Sequence, residues 1–204
     1  MSEEEAKKRL KNELQFSDED IANLEIFKNY LLEFNSKYNL ISKSTENLIW
    51  SRHILDSAQL IKYFDFNSMG TLADLGSGAG FPGLILAIFN KNPEFHVKLY
   101  EKSPVKREFL SKVKKKINID AEIKENVYNG EIDADIIVSR AFKKLNQIIK
   151  ISREIIKKPH KILILKGKNA QSEINNVSLA SNYSYKIENS ITDVDSKIIL
   201  IKVK

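Results

Sequence analysis

The stretch Leu72-Ala73-Asp74-Leu75-Gly76-Ser77-Gly78-Ala79-Gly80-Phe81-Pro82-Gly83 constrains this chain more than any other part of it. A short apolar run carries an acid near its end and then breaks into alternating glycines. Pro82 follows, and after it the apolar run Leu84-Ile85-Leu86-Ala87-Ile88. The order reads as strand, tight loop and helix. Pro82 suits the first helical turn, where a missing N–H costs nothing. Glycines at positive φ let a ligand approach bare backbone, and three alternating glycines cost more chain entropy than a plain turn requires. Such a loop, at the carboxyl end of a strand in a doubly wound sheet, is a nucleotide-type binding site.

Two cofactor classes fit. Gly78 to Gly83 satisfies G-x-G-x-x-G, the dinucleotide fingerprint, which aims a helix N-terminus at a pyrophosphate. Here the glycines begin earlier, at Gly76, and Asp74 stands just before them. A carboxylate facing a pyrophosphate repels it, whereas the ammonium and sulfonium groups of S-adenosylmethionine are attracted. The order Asp74, Gly76, Gly78, Gly80 therefore favours S-adenosylmethionine over NAD. An acid for the ribose hydroxyls is expected about twenty residues on, at the end of the next strand. His96-Val97-Lys98-Leu99-Tyr100-Glu101 alternates with period two and ends in Glu101, which supplies it. Ser103-Pro104 then reads as a helix N-cap and first helical position.

The rest of the chain supports an α/β domain. Residues 3–14 form a short charged helix, and Ser17-Asp18-Glu19-Asp20 is a capping box. It opens a helix with Leu24, Phe27, Leu31, Phe34 and Tyr38 on one face, broken at Asn39-Leu40-Ile41-Ser42. Ser44 or Thr45 caps the next helix, expected to run to about Phe64. From Thr71 onward strands at 71–75, 96–101, 120–124, 135–138 and 161–166 alternate with helices at 82–90, 103–117 and 144–157. Alternation of this kind gives a parallel sheet covered on both faces. After a helix near 169–177, Tyr183–Glu188 and Lys197–Val203 are separated only by a turn-rich stretch. That connection is too short for a parallel crossover and predicts an antiparallel pair. A Rossmann-like, mostly parallel seven-stranded sheet ending in a hairpin is the class I methyltransferase pattern. The expected division is one domain over 1–204, with a helical extension at 1–66 and the core at 67–204.

The chain has 204 residues, a net charge of +6, no cysteine and three histidines. Disulfides and cysteine-based zinc sites are excluded, and no metal is expected. No apolar run approaches membrane-spanning length, so the expected setting is cytoplasmic. A monomer is the expected state, with nothing in the sequence that fixes it. The basic balance suggests a polyanionic partner. Only five of the basic residues are arginines, Arg9, Arg52, Arg107, Arg140 and Arg153. In a lysine-biased chain an arginine is the more informative cation, because it makes planar bidentate contacts.

An ordered set of motifs resembles one family, the bacterial small-subunit (16S) ribosomal RNA guanine-N7 methyltransferases, also called glucose-inhibited division protein B. The set comprises Asn39-Leu40 before a Ser/Thr-rich stretch, Arg52-His53-Ile54-Leu55-Asp56-Ser57, the loop from Asp74 to Gly83, Lys106-Arg107 with Phe109-Leu110, Ser139-Arg140-Ala141-Phe142, and Leu165-Lys166-Gly167. The resemblance implies that Gly76 and Phe81 line the methionine side of the cofactor and that Glu101 takes the ribose. It implies that Glu125 and Asn126 flank the adenine, and that Arg140 faces both cofactor and target base as the candidate catalytic residue. Arg52, His53 and Lys166 would border the RNA cleft, with Asn39, Lys124 and Lys197 as further RNA contacts. The family usually has arginine at the position of Lys124 and near Ser196-Lys197. The implied partner is 16S ribosomal RNA or the small-subunit particle.

Read without the resemblance, His53 is a packed helical histidine, Asp56 an intrahelical partner of Arg52, Arg140 a structural ion-pair member, and Lys166-Gly167 a strand end and turn. The chemistry narrows independently. Cytosine-C5 methylation needs a cysteine nucleophile, which is absent. Amino methylation usually carries a Pro-Pro-aromatic motif, and no Pro-Pro occurs. These absences favour N7 or ribose O2′ over other targets. Guanine N7, the target that the resemblance implies, carries no proton and needs no general base, so positioning and exclusion of water do most of the work there. The alternatives are a small-molecule methyltransferase of the same fold and a non-catalytic nucleotide-binding protein.

Overall fold

The computed structural model describes residues 1–128, 130–177 and 179–204. A seven-stranded sheet in the order β3-β2-β1-β4-β5-β7-β6 forms its centre. The strands are β1 (Gly70–Leu75), β2 (Phe95–Tyr100), β3 (Glu122–Lys124), β4 (Ile136–Arg140), β5 (His160–Lys166), β6 (Tyr183–Asn189) and β7 (Lys197–Val203). Strands β1 to β5 are parallel. β7 lies antiparallel between β5 and β6. The chain leaves β1 toward β2 on one side and returns to β4 on the other. This reversal opens a crevice beyond the carboxyl ends of β1 and β4, where α/β sheets bind ligands.

Both faces are covered because the strands are apolar on both faces, as a parallel sheet requires. On one side Leu72, Val97, Leu99, Val138 and Leu163 meet α4 (Gly83–Phe89), α5 (Pro104–Ile117) and the N-terminal helices. On the other, Ala73, Leu75, Ile137, Ile162 and Ile164 meet α6 (Leu145–Ile155) and α7 (Ala170–Asn175). The first cluster runs without a break from Ala6 and Leu10 to the sheet. The N-terminal helices are therefore part of the core that shapes the crevice.

Those helices are α1 (Glu3–Leu14) and α2 (Asp18–Tyr38). Ser17 and Asp20 close the expected capping box, each side chain accepting from the other's backbone N–H. Asn39 ends α2 in the left-handed region at φ 49°. Leu24, Phe27 and Leu31 are buried, but Tyr38 is half exposed. Phe27 meets Phe81 of the glycine loop edge-on at 5.3 Å, so α2 supports the loop directly.

The expected continuous helix to Phe64 is not what forms. Lys43–Leu48 is a 3₁₀ turn, Ile49–Leu55 is wound as a π-helix, α3 (Asp56–Ala58) is a single α turn, and Gln59–Tyr63 is again 3₁₀. The segment is fixed by buried side-chain bonds to other elements rather than by one amphipathic face. π turns are rare and concentrate at functional sites. This one carries His53.

Candidate active site

The cleft opens where β1, β2 and β4 end and encloses about 480 Å³. Its floor is the glycine loop. Gly76 has φ +75°, and a Cβ there would stand 2.2 Å from Cδ2 of Phe142, so Phe142 lies directly on its Cα. Ala141 takes φ 52°, and the turn it makes brings Phe142 back over the loop. The N–H groups of Gly76 and Ser77 both donate to the Tyr100 carbonyl, at 2.9 and 3.0 Å, which ties the loop to β2. Phe81, Tyr100, Val127 and Phe142 supply apolar wall.

Glu101 sits at the end of β2, as expected. Its carboxylate accepts from Gly78 N–H at 2.9 Å and from Ser103 N–H at 2.8 Å. Ser103 therefore contributes backbone rather than a side-chain cap to α5. Arg107 donates to the carbonyls of Glu101 (3.0 Å) and Lys102 (2.7 Å) and stands 3.5 Å from Glu125. It fixes the turn that presents Glu101. Glu125 and Asn126 line the outer wall.

Asp74 is placed differently from the expectation. It is fully buried beneath the loop and does not line the cleft. Its Oδ2 accepts from Gly83 N–H at 2.9 Å, and its Oδ1 has no partner among the described residues. Gly83 is required for this contact, since a Cβ would lie 2.6 Å from that oxygen. Burial pushes the Asp74 carboxyl up to about 7. The consequence for cofactor choice survives, by a different route. A carboxyl already occupies the first N–H of α4, where a dinucleotide would lay its pyrophosphate. Gly80 also stands outside the cleft. Its φ is +97°, and a Cβ would meet Leu84 and Leu110.

At the mouth, Arg140 extends from the end of β4 and lies over Phe81, its guanidinium carbon 5.6 Å from the ring centre. Its Nη2 donates to His53 Nδ1 at 2.8 Å. His53 Nε2 and Thr45 Oγ1 are 2.9 Å apart, and Thr45 Oγ1 donates to the Ser42 carbonyl at 2.8 Å. An imidazole that accepts at Nδ1 carries its proton on Nε2, so the chain runs Arg140 to His53 to Thr45 to Ser42. Burial first, and then the Arg140 and Arg52 charges, lower the His53 pKa to about 3. Asp56 Oδ2 stands 3.9 Å from Arg140 Nε. Arg140, rather than Arg52, is the ionic neighbour of Asp56. Spacing by four aligns two residues only on an α-helix, and Arg52 and Asp56 straddle the π turn. Arg140 Nη1 is buried without a partner among the described residues, so it is a donor in need of an acceptor.

The sequence-derived RNA contacts divide. His53 reaches the cleft, and Arg52 is exposed nearby on the same turn. Asn39 caps α2, while its neighbours Leu40 and Ile41 line the cleft. Lys166 is turned inward: its ammonium donates to Glu173 at 2.8 Å and to the Lys143 carbonyl at 3.0 Å. Lys197 closes the β6–β7 turn on Asn189 and the Val194 carbonyl, both at 2.8 Å. Lys124 pairs with Glu122. Lys102, Lys106 and Lys143 rim the opening instead. Phe142, Thr45 and Asp56 were within recognised motifs or caps, yet only the fold gives them these roles. Among the described residues no cluster of His, Asp or Glu can hold a metal.

A family model described as rRNA small subunit methyltransferase G matches residues 20–200. The chain belongs to that family. A relative named ribosomal RNA small subunit methyltransferase G from Pelagibacter ubique is 35% identical over 190 residues, covering 90% of this chain and 89% of its own. A Rickettsia felis protein of the same name is 40% identical over 182 residues, covering 89% and 92%. Solved structures share the fold at lower identity. M. jannaschii TYW2 in complex with AdoMet superposes with TM-score 0.54 at 14% identity, covering 76% of each chain. A mutant of MtNAS in complex with S-adenosylmethionine gives 0.59 at 11%, covering 89% of this chain and 74% of that one. Within this methyltransferase G family member, the crevice is assembled from the loop, Glu101 and the β4 end. The residues present fit S-adenosylmethionine: bare backbone at Gly76 and Gly78, an acceptor at Glu101, apolar walls, and the first N–H of α4 taken by Asp74 rather than left for a phosphate.

Proposed function

We propose that this protein transfers a methyl group from S-adenosylmethionine to N7 of a guanine in small-subunit ribosomal RNA. Family membership supplies the RNA. The choice of N7 rests on one observation, the absence among the described residues of a competent base beside Arg140. His53 has both ring nitrogens bonded and stays neutral far below neutral pH. Asp56 is buried and accepts from Gln59, Ser190 and Thr192. Glu101 is bonded on both oxygens. A nucleophile that must first lose a proton finds nowhere to put it, whereas N7 has a free lone pair.

Bound S-adenosylmethionine supplies an electrophilic methyl group on a positively charged sulfur. The chain's own residues do the rest. Gly76 and Gly78 let the ligand approach the backbone, Glu101 accepts from its hydroxyls, and Glu125 and Asn126 border the adenine. Phe81, Tyr100 and Phe142 exclude water. Arg140, oriented by His53 and Asp56, offers its free Nη1 to guanine O6 or to an adjacent phosphate and leaves N7 unblocked. Lys102, Lys106, Lys143 and Arg52 take phosphates around the opening in place of the occupied Lys166 and Lys197.

Incubation with unmethylated small-subunit rRNA and labelled cofactor tests the proposal. Label is expected at a guanine N7, and label at any other atom overturns it. S-adenosylmethionine at a hundredfold over Kd should stabilise the protein by about 2.7 kcal/mol, and NAD should not.

A further inference from the structure

The N-terminal half of β5 carries a charge arrangement that the cleft does not use. Lys161 stands directly opposite Lys202 across the antiparallel β5–β7 pair, so both side chains leave the same face of the sheet. Lys186 of β6 is opposite Leu200 on that face, and Lys62 approaches from the Gln59–Tyr63 turn. The four lysines border a hollow of about 490 Å³ that includes Leu163 and Leu200 in its lining. All four are exposed.

Like charges directly opposite in an antiparallel pair oppose folding. Lys186 is relieved by Glu188 at 2.5 Å. Lys62 has the Glu13 carboxylate in its neighbourhood, and among the described residues no carboxylate pairs with Lys161 or Lys202. The fold gains nothing from this repulsion, and an anion seated in the hollow would relieve it. The hollow lies toward the amino end of β5, whereas the cleft lies past the carboxyl ends of its neighbours. Lys161 and Lys166 are five residues apart on that strand, about 16 Å at the usual rise. Only an extended anion reaches both places.

We propose that Lys62, Lys161, Lys186 and Lys202 form a second contact for the RNA phosphate backbone, separate from the cleft. The inference rests on ribosomal RNA being the substrate. Phosphate contacts of this kind position a nucleic acid and carry no sequence information. They set the register in which the target guanine meets the cleft.

The test is the double variant Lys161→Gln/Lys202→Gln, with unmethylated small-subunit rRNA as the probe across a salt series. Its affinity should fall about tenfold at low salt, and the slope of log K against log salt should shrink by about two. Its Tm should rise, because the cross-strand repulsion is gone, and S-adenosylmethionine binding should be unchanged. A purely structural role for the pair would move Tm without moving the salt slope. Lys202→Glu, which can pair with Lys161, serves as the second variant and should weaken RNA binding further while folding at least as well. Unchanged RNA affinity and slope in either variant overturns the contact. A wild-type protein that binds no rRNA overturns the substrate reading and this contact with it.

Discussion

At the residue scale, Gly76 is where the loop tolerates least. Its φ of +75° disfavours any side chain, and the position of its missing Cβ is filled by Phe142. Gly76→Ala should cost about 1–3 kcal/mol from backbone strain alone. It should also push Phe142 off the cleft and weaken S-adenosylmethionine binding at least tenfold, read by calorimetry. Phe142→Ala in the same chain should return part of the lost affinity by making room, while leaving the backbone strain. If the double variant binds no better than Gly76→Ala, the two residues are not coupled as the packing indicates. Gly76 and Gly78 were legible as cleft lining because their spacing has few other uses, whereas Gly80 packs away from it against Leu84 and Leu110. The role of Asp74 was not, because a sequence shows that a carboxylate precedes a loop but not which way it turns. It turned under the loop to cap α4.

Among elements, the segment from Lys43 to Tyr63 departs furthest from its sequence pattern, and its reason lies in polar bonds. Asp56 Oδ1 accepts from Gln59 Nε2 (2.9 Å), Ser190 Oγ (3.1 Å) and Thr192 Oγ1 (3.0 Å). Gln59 Oε1 accepts from Ile191 N–H at 2.9 Å. Residues 131 to 136 positions apart are clasped by one turn, and Arg140 stands against the same carboxylate. Asp56→Ala should therefore cost about 2–4 kcal/mol in urea unfolding, since three donors lose their acceptor and the Arg140 cation its counter-charge. Asp56→Asn keeps an acceptor for the hydroxyls and should cost less, yet still lower the methylation rate at least tenfold by freeing Arg140. Equal stability loss in both variants would mean that the charge, and not the acceptor, holds the clasp. The sequence pattern located α2 and all seven strands: α2 buries one apolar face, the central strands are apolar on both faces, and the turn-rich stretch before β7 marks the exposed β6 beside it. The pattern missed this segment because partners at 190–192 dictate its winding, and no local pattern records them. Lys166 and Lys197 are held by acceptors within their own stretches of chain, Glu173 for the one and Asn189 and Val194 for the other, and composition alone does not show that a lysine is already paired.

For the whole molecule, two buried titratable groups on opposite sides of the loop oppose each other in pH. His53 is held near 3, below its ordinary 6.5, so its contribution to stability is complete above about 6.5 and is lost as pH falls toward 3. Asp74 is held near 7, above its ordinary 3.8, so its contribution is complete below about 3.8 and is lost as pH rises through 7. Between about 4 and 6.5 the two slopes run in opposite directions and largely cancel. Asp74→Asn removes one of them and leaves His53 uncompensated. Measured by urea unfolding at a series of pH values, the wild type should gain on this variant as pH falls from 7 to 4, by on the order of 4 kcal/mol at full extent. The variant alone should lose stability steadily on acidification. Parallel curves for the two proteins would show that Asp74 ionises normally in the fold, and that its unpartnered oxygen is solvated after all. The fold tolerates an unpaired acid at the centre of its binding loop because the proton that neutralises it is retained to nearly neutral pH, which lets the same carboxyl cap a helix without adding negative charge beneath the cleft.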